Sequence, residues 1–137
     1  MTNTVITKWS KGMKFETTSP NGVSITLGSS QDGDAIKVPS PKALMLSSLA
    51  VCSGLDVVSI LEKMKVNLED FKIQTEASLT DEHPKYYNKV IMQYHFFGED
   101  LDQEKIKKAV NLSITKYCGV MEMFRSFAEI KTEIHYN

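Results

Sequence analysis

The stretch that decides the fold is Ser40-Pro41-Lys42-Ala43-Leu44-Met45-Leu46-Ser47-Ser48-Leu49-Ala50-Val51-Cys52, continued by Ser53-Gly54-Leu55-Asp56-Val57-Val58-Ser59-Ile60-Leu61-Glu62-Lys63. Ser40 is an N-cap residue and Pro41 fits the first helical position, so a helix is expected to start there. From Ala43 to Met64 apolar residues occupy nearly every face. A helix without a polar stripe is expected to be enclosed on all sides. At about 24 residues it would run some 36 Å, which is hard for one chain of 137 residues to cover. A partner subunit is the economical solution. The length also meets the roughly 20 residues needed to cross a bilayer. Asp56, the serines at 47, 48, 53 and 59, and strand-like segments on either side argue against a membrane span.

Before this helix, Trp9, Met13, Phe15, Val23, Ile25 and Leu27 are separated by turn-forming residues, the strongest being Asn21-Gly22. Three strands are expected, then a loop over Gly28 to Gly33. After the helix, Phe71, Ile73, Thr75, Ala77 and Leu79 alternate with polar residues, and Val90 to Phe97 reads as a second, more hydrophobic strand. Asp100 or Asp102 caps the next helix, whose apolar positions Ile106, Val110, Ile114, Tyr117, Met121 and Phe124 keep helical spacing with a break near Lys116 to Gly119. Ala128, Ile130, Thr132, Ile134 and Tyr136 alternate as a closing strand. The order is β-β-β-α-β-β-α-α-β, an α+β class, and the length predicts a single domain over residues 1–137.

Composition excludes some partners. Sixteen basic and seventeen acidic residues nearly cancel, so no broad attraction to nucleic acid or to an anionic membrane is encoded. The one arginine is Arg125. It follows Cys118 by seven residues, two turns on the same helix face, within reach of that thiol or of Glu122 and Glu129. Met1 to Thr7 has neither the basic start nor the apolar run of an export signal, so a cytoplasmic setting is expected, in which thiols rest reduced.

Two cysteines 66 residues apart are too few for a disulfide scaffold. They are either buried structural thiols or a redox pair. Cys52, in the middle of the apolar helix, reads alone as a small buried hydrophobe. Cys118 lies near a helix start, where amide dipoles are expected to lower a thiol pKa. His83, His95 and His135 show no spacing that suggests a metal site, and none is expected. No cofactor is implied.

The segments Ser40-Pro41 to Leu46, the small-residue run into Cys52, Asp56-Val57-Val58-Ser59-Ile60-Leu61 with Lys63, and Lys116-Tyr117-Cys118-Gly119-Val120-Met121 resemble, in this order, the OsmC/Ohr family. The likeness is to its OsmC-like branch without an assigned substrate. It implies an intertwined homodimer with sites at the subunit interface. It also implies reduction of organic hydroperoxides by a peroxidatic cysteine, at the position of Cys52, and a resolving cysteine, at that of Cys118, with a thiol reductant restoring both. Hydroperoxide-reducing members carry a glutamate ten residues before the first cysteine, which orients an arginine from the N-terminal strands. Here that position is Lys42, and residues 1–51 contain no arginine.

Around the cysteines, Lys42, Met45, Asp56 and Met121 are the candidate substrate-binding residues. Lys42 is a cation about 15 Å up the helix from Cys52. Asp56 is one turn beyond it, and Met45 and Met121 belong to an adaptable apolar lining suited to a small apolar hydroperoxide. The competing readings are a non-catalytic dimer that binds an apolar ligand and a redox sensor.

Overall fold

The computed structural model describes all 137 residues. They form two compact units, Met1–Met45 and Leu46–Asn137.

In the N-terminal unit, β1 (Ile6–Lys11), β2 (Lys14–Thr18) and β3 (Ser24–Gly28) make an antiparallel sheet in sequence order. Gly12, at φ 59°, turns the chain between β1 and β2, and its carbonyl accepts the Trp9 indole N–H at 2.8 Å. The Asn21-Gly22 turn joins β2 to β3, Asn21 Oδ1 accepting the Val23 N–H at 3.1 Å. Trp9, Phe15 and Leu27 are register neighbours across the three strands and share one face. Trp9 and Phe15 remain exposed.

Helix α1 (Pro41–Lys63) begins as its sequence requires: the Ser40 side-chain oxygen accepts the Ala43 N–H at 3.3 Å. It ends in a Schellman arrangement, with Val66 N–H bonded to the Leu61 carbonyl and Lys65 N–H to that of Glu62. Lys65 takes the left-handed position at φ 59°.

The second unit is built on β4 (Asp70–Leu79), β5 (Tyr87–Phe97) and β6 (Glu129–Tyr136), with β5 central, antiparallel to β4 and parallel to β6. A parallel pair needs a crossover. It is made by α2 (Gln103–Leu112), a π-helical turn (Ser113–Tyr117) and α3 (Gly119–Arg125). Asp102, not Asp100, caps α2, accepting the Lys105 N–H at 3.1 Å.

Alternation on β5 sends Val90, Met92, Tyr94 and Phe96 inward, where they form one core with Leu49, Val57 and Leu61 of α1, Ile106, Ala109 and Val110 of α2, and Met121 and Phe124 of α3. Phe71 of β4 stacks on Phe96 with ring centroids 4.6 Å apart.

The expectation that α1 is enclosed all round is met on one face. Leu49, Ser53, Val57 and Leu61 are buried at helical spacing, whereas Val51, Leu55 and Val58 on the opposite side are 59%, 66% and 48% exposed. By length and composition α1 would suffice to cross a membrane. In this fold its buried face is packed into the protein core.

Candidate thiol redox site

Cys52 occupies the middle of α1, partly buried, on a stripe beside the core-facing one. Cys118 reaches the same place from the crossover. Ordinary α-helix would carry the chain onward from α2, but Cys118 N–H bonds to the Ser113 carbonyl, five residues back, at 2.9 Å. This widened turn ends the helix. Its sequence suits it: Ile114 and Thr115 are β-branched, and Thr115 Oγ1 donates back to the Asn111 carbonyl at 2.7 Å, the competition with backbone that weakens a helix. Cys118 then adopts extended backbone (φ −77°, ψ 100°) as the N-cap of α3, and its Sγ accepts the Met121 N–H at 3.3 Å.

The two thiols stand close enough for Cys52 to act on Cys118 as a side-chain hydrogen-bond partner. Both are free. Cys118 is 4% exposed, so Cys52 is the more accessible sulfur. The expected lowering of the Cys118 pKa at a helix start does not occur. Burial pushes its pKa up to about 11, the hydrogen bond to Cys52 adds to this, and the opposing pull of the Met121 N–H is outweighed. The Asp56 carboxylate contributes a further push in the same direction.

Beside the thiols runs a buried chain of hydroxyls. Tyr94 Oη lies 2.6 Å from Ser53 Oγ, Ser53 Oγ lies 2.9 Å from Ser113 Oγ, and Ser113 Oγ donates to Asp56 Oδ2 at 3.0 Å. Proton counting orders the chain. Ser113 spends its only proton on Asp56, so Ser53 must donate to Ser113 and Tyr94 to Ser53. Burial raises the Tyr94 pKa to about 12 against the lowering effect of Ser53, so the phenol stays protonated and acts as the donor.

Sequence reasoning missed Tyr94 and Ser113 and treated Ser53 only as a polar interruption. The available signal was one of position: Ser53 is on the helix face of Leu49 and Val57, and Tyr94 is on the inward face of the most hydrophobic strand, where a buried hydroxyl needs a partner.

Asp56 is half-buried at the end of this chain. Met121 is fully enclosed in the core, and its backbone N–H is what meets Cys118. Lys42 and Met45 lie exposed in the first turns of α1, in the N-terminal unit. Arg125 is engaged by other partners. One guanidinium nitrogen donates to Glu122 Oε2 at 2.9 Å and the other to the Ile114 carbonyl, tying α3 to the π-turn. His95 and His135 stack on β5 and β6 with centroids 4.7 Å apart, and the His95 pKa is lowered by burial and then by His135. No group of three or more His, Cys, Asp or Glu side chains converges as metal ligands would.

An α+β chain whose long apolar helix and crossover bring two free thiols together defines a small two-cysteine protein. Residues 32–133 match the OsmC-like protein family, and the chain belongs to it. It is 32% identical over 124 residues to protein YhfA of Escherichia coli K12, covering 90% of each. It is similar in structure to a hypothetical protein of Aquifex aeolicus VF5, with a TM-score of 0.87 and 28% identity over 100% of this chain and 97% of that one. The organic hydroperoxide resistance protein OhrB of Bacillus subtilis shares the fold at a TM-score of 0.66 and 21% identity, 98% of each chain being covered.

Proposed function

We propose that this protein reduces organic hydroperoxides with Cys52 as the peroxidatic thiol and Cys118 as the resolving one, working as a cytoplasmic homodimer. The observation that carries the reading is the pairing of an accessible and a buried thiol within hydrogen-bonding reach. In the first step the Cys52 sulfur attacks the distal peroxide oxygen and the O–O bond breaks. The alkoxide leaves and takes a proton, giving Cys52 sulfenic acid and an alcohol. In the second, the Cys118 sulfur attacks the Cys52 sulfur. The sulfenic hydroxyl leaves as water with the proton that Cys118 has held, and a disulfide remains. Two external thiols then return both cysteines to the reduced state and emerge as their own disulfide.

The dimer accounts for the exposed apolar faces. Val51, Leu55 and Val58 of α1 border, with Ala50, Gly54 and Ile73, an apolar groove of about 350 Å³, and the Trp9 and Phe15 face of the first sheet is likewise uncovered in its unit. A second copy would bury such surfaces and leave room for an apolar substrate. The runner-up is a dimer that senses redox state or sequesters an apolar ligand. It draws on the absence of arginine from residues 1–51 and on the Asp56 carboxylate beside the thiols.

Stopped-flow oxidation by cumene hydroperoxide and hydrogen peroxide separates these readings. Faster reaction with cumene hydroperoxide, a disulfide in the native protein, a sulfenic acid trapped by dimedone in Cys118→Ser and no reaction in Cys52→Ser are expected. Oxidation of Cys52 no faster than that of free cysteine would rule out the peroxidase.

A further inference from the structure

From Ala43 to Leu61, helix α1 carries a single charged residue, Asp56. It follows Cys52 by four residues, and helical side chains lean toward the N-terminus, so its carboxylate lies over the turn that holds Cys52. Ser113 fixes it there. The Ser113 hydroxyl donates to Asp56 Oδ2 at 3.0 Å and the Ser113 carbonyl accepts the Cys118 N–H at 2.9 Å, so one residue anchors both the carboxylate and the second thiol.

No cation answers this charge. Asp56 joins none of the chain's ion pairs. The charged groups that act on Cys118 are Cys52 and Asp56, with no lysine or arginine among them. The nearest cations along α1 are Lys42 and Lys63, ten residues before Cys52 and eleven after it. At the rise of an α-helix they stand about 15 and 16 Å from Cys52 along the axis, against about 6 Å for Asp56. Salt at about 0.1 M screens charges over about 10 Å, so the lysines fade where Asp56 does not. Lys72, at the edge of the apolar groove, holds its ammonium 5.8 Å from the Phe97 ring centroid.

We infer that Asp56 sets the charge selectivity of the Cys52 site, admitting uncharged and cationic oxidants and excluding anionic ones. This rests on the thiol chemistry proposed above and narrows its substrate to an uncharged hydroperoxide, such as one carried on an ester, over one carried on a free carboxylate. An arginine beside the thiol would draw anions in. Here the fixed charge has the opposite sign. A unit charge on the oxidant about 6 Å from the carboxylate changes the rate about threefold at the dielectric constant of water and about a hundredfold at an effective value of about 20. Asp56 is half-buried, which places the effect between these limits, on the order of tenfold for each charge.

The test labels Cys52 with cationic (trimethylammonium-ethyl), neutral (methyl) and anionic (sulfonatoethyl) methanethiosulfonates, in Cys118→Ser so that no second thiol displaces the label. The Cys52 sulfur attacks the sulfenyl sulfur, methanesulfinate leaves with the electrons of the broken S–S bond, and a mixed disulfide stays on Cys52. Each rate is divided by that of free 2-mercaptoethanol. At an ionic strength of about 0.02 M the cation-to-anion ratio is expected to exceed about tenfold, with the neutral reagent between, and to fall toward one in about 1 M salt. In Asp56→Asn, which can still accept from Ser113, it is expected to drop to within about twofold of one. Thiolate fraction and loosened packing move both rates together, so the ratio responds to charge and not to a structural role. The salt series needs no substitution at Asp56 and decides the matter alone if that variant does not fold. A low-salt ratio within about twofold of one or below it, or a ratio that Asp56→Asn leaves intact, would overturn the proposal. None of this chemistry uses a hydroperoxide, so inertness of Cys52 toward cumene hydroperoxide together with a high ratio would overturn only the peroxidase reading.

Discussion

Replacing Ser53 by alanine tests the buried hydroxyl chain, and the structure sets the size of the effect. Ser53 is fully buried. Its removal leaves Ser113 with Asp56 Oδ2 at 3.0 Å and the residue-53 carbonyl at 3.3 Å, so Ser113 remains satisfied. Tyr94 loses its 2.6 Å partner and retains only the Met92 sulfur at 3.9 Å. One orphaned buried hydroxyl costs about 1–3 kcal/mol. A chain of 137 residues has an unfolding entropy of about 0.29 kcal/mol/K, so a loss of about 2 kcal/mol lowers Tm by about 7 °C. Tyr94→Phe in the same protein removes the orphan, and the double variant should recover at least about 1 kcal/mol of that loss. Calorimetry or thermal denaturation by circular dichroism at fixed protein concentration reads this cycle. A Ser53→Ala protein within about 1 °C of the parent, or a double variant whose losses simply add, would refute the proton-counted order of the chain.

At pH 8 a thiol with a pKa of about 11 is about one part in a thousand thiolate, against roughly one in four for a free thiol. Greater intrinsic nucleophilicity recovers about tenfold, so iodoacetamide should label Cys118 at least about twentyfold more slowly than free cysteine. The rate should still be climbing at about pH 10; a plateau below pH 9, seen by peptide mapping, would contradict the burial argument. Folding raises this pKa, so its contribution to stability is complete below the unfolded value near 9 and is lost as pH rises through about 11, a fall of up to about 3 kcal/mol readable as an alkaline drop in urea midpoint. Gly28→Ala would place a Cβ 2.0 Å from the Met13 carbonyl oxygen, which already accepts the Ser29 N–H at 3.0 Å. A loss of about 2–4 kcal/mol is expected in urea titration, and an unchanged midpoint would show that the β2–β3 edge can shift.

Much of this protein is determined locally. Ser40 and Pro41 start α1, Asp102 caps α2, Asn21-Gly22 closes the β2–β3 turn, and period-two alternation marks Phe71 to Leu79 as a strand. Each depends on a few neighbouring residues and is legible without the rest of the chain. The quoted segments around Cys52 and Cys118 likewise identify the family. What the tertiary structure alone decided is the electrostatics of the site. A helix start predicts a lowered thiol pKa at Cys118, and the Met121 N–H is in place to cause it, but desolvation by the surrounding core and the adjacent Cys52 overrule it. Arg125, two turns from Cys118 on paper, is drawn instead to Glu122 and the Ile114 carbonyl. The link between Ser53 and Ser113, 60 residues apart, depends on the π-turn that swings the crossover against α1. Burial and charge are sums over all atoms that fold brings near a group, and residues distant in sequence supply most of those atoms, so no local pattern can contain them.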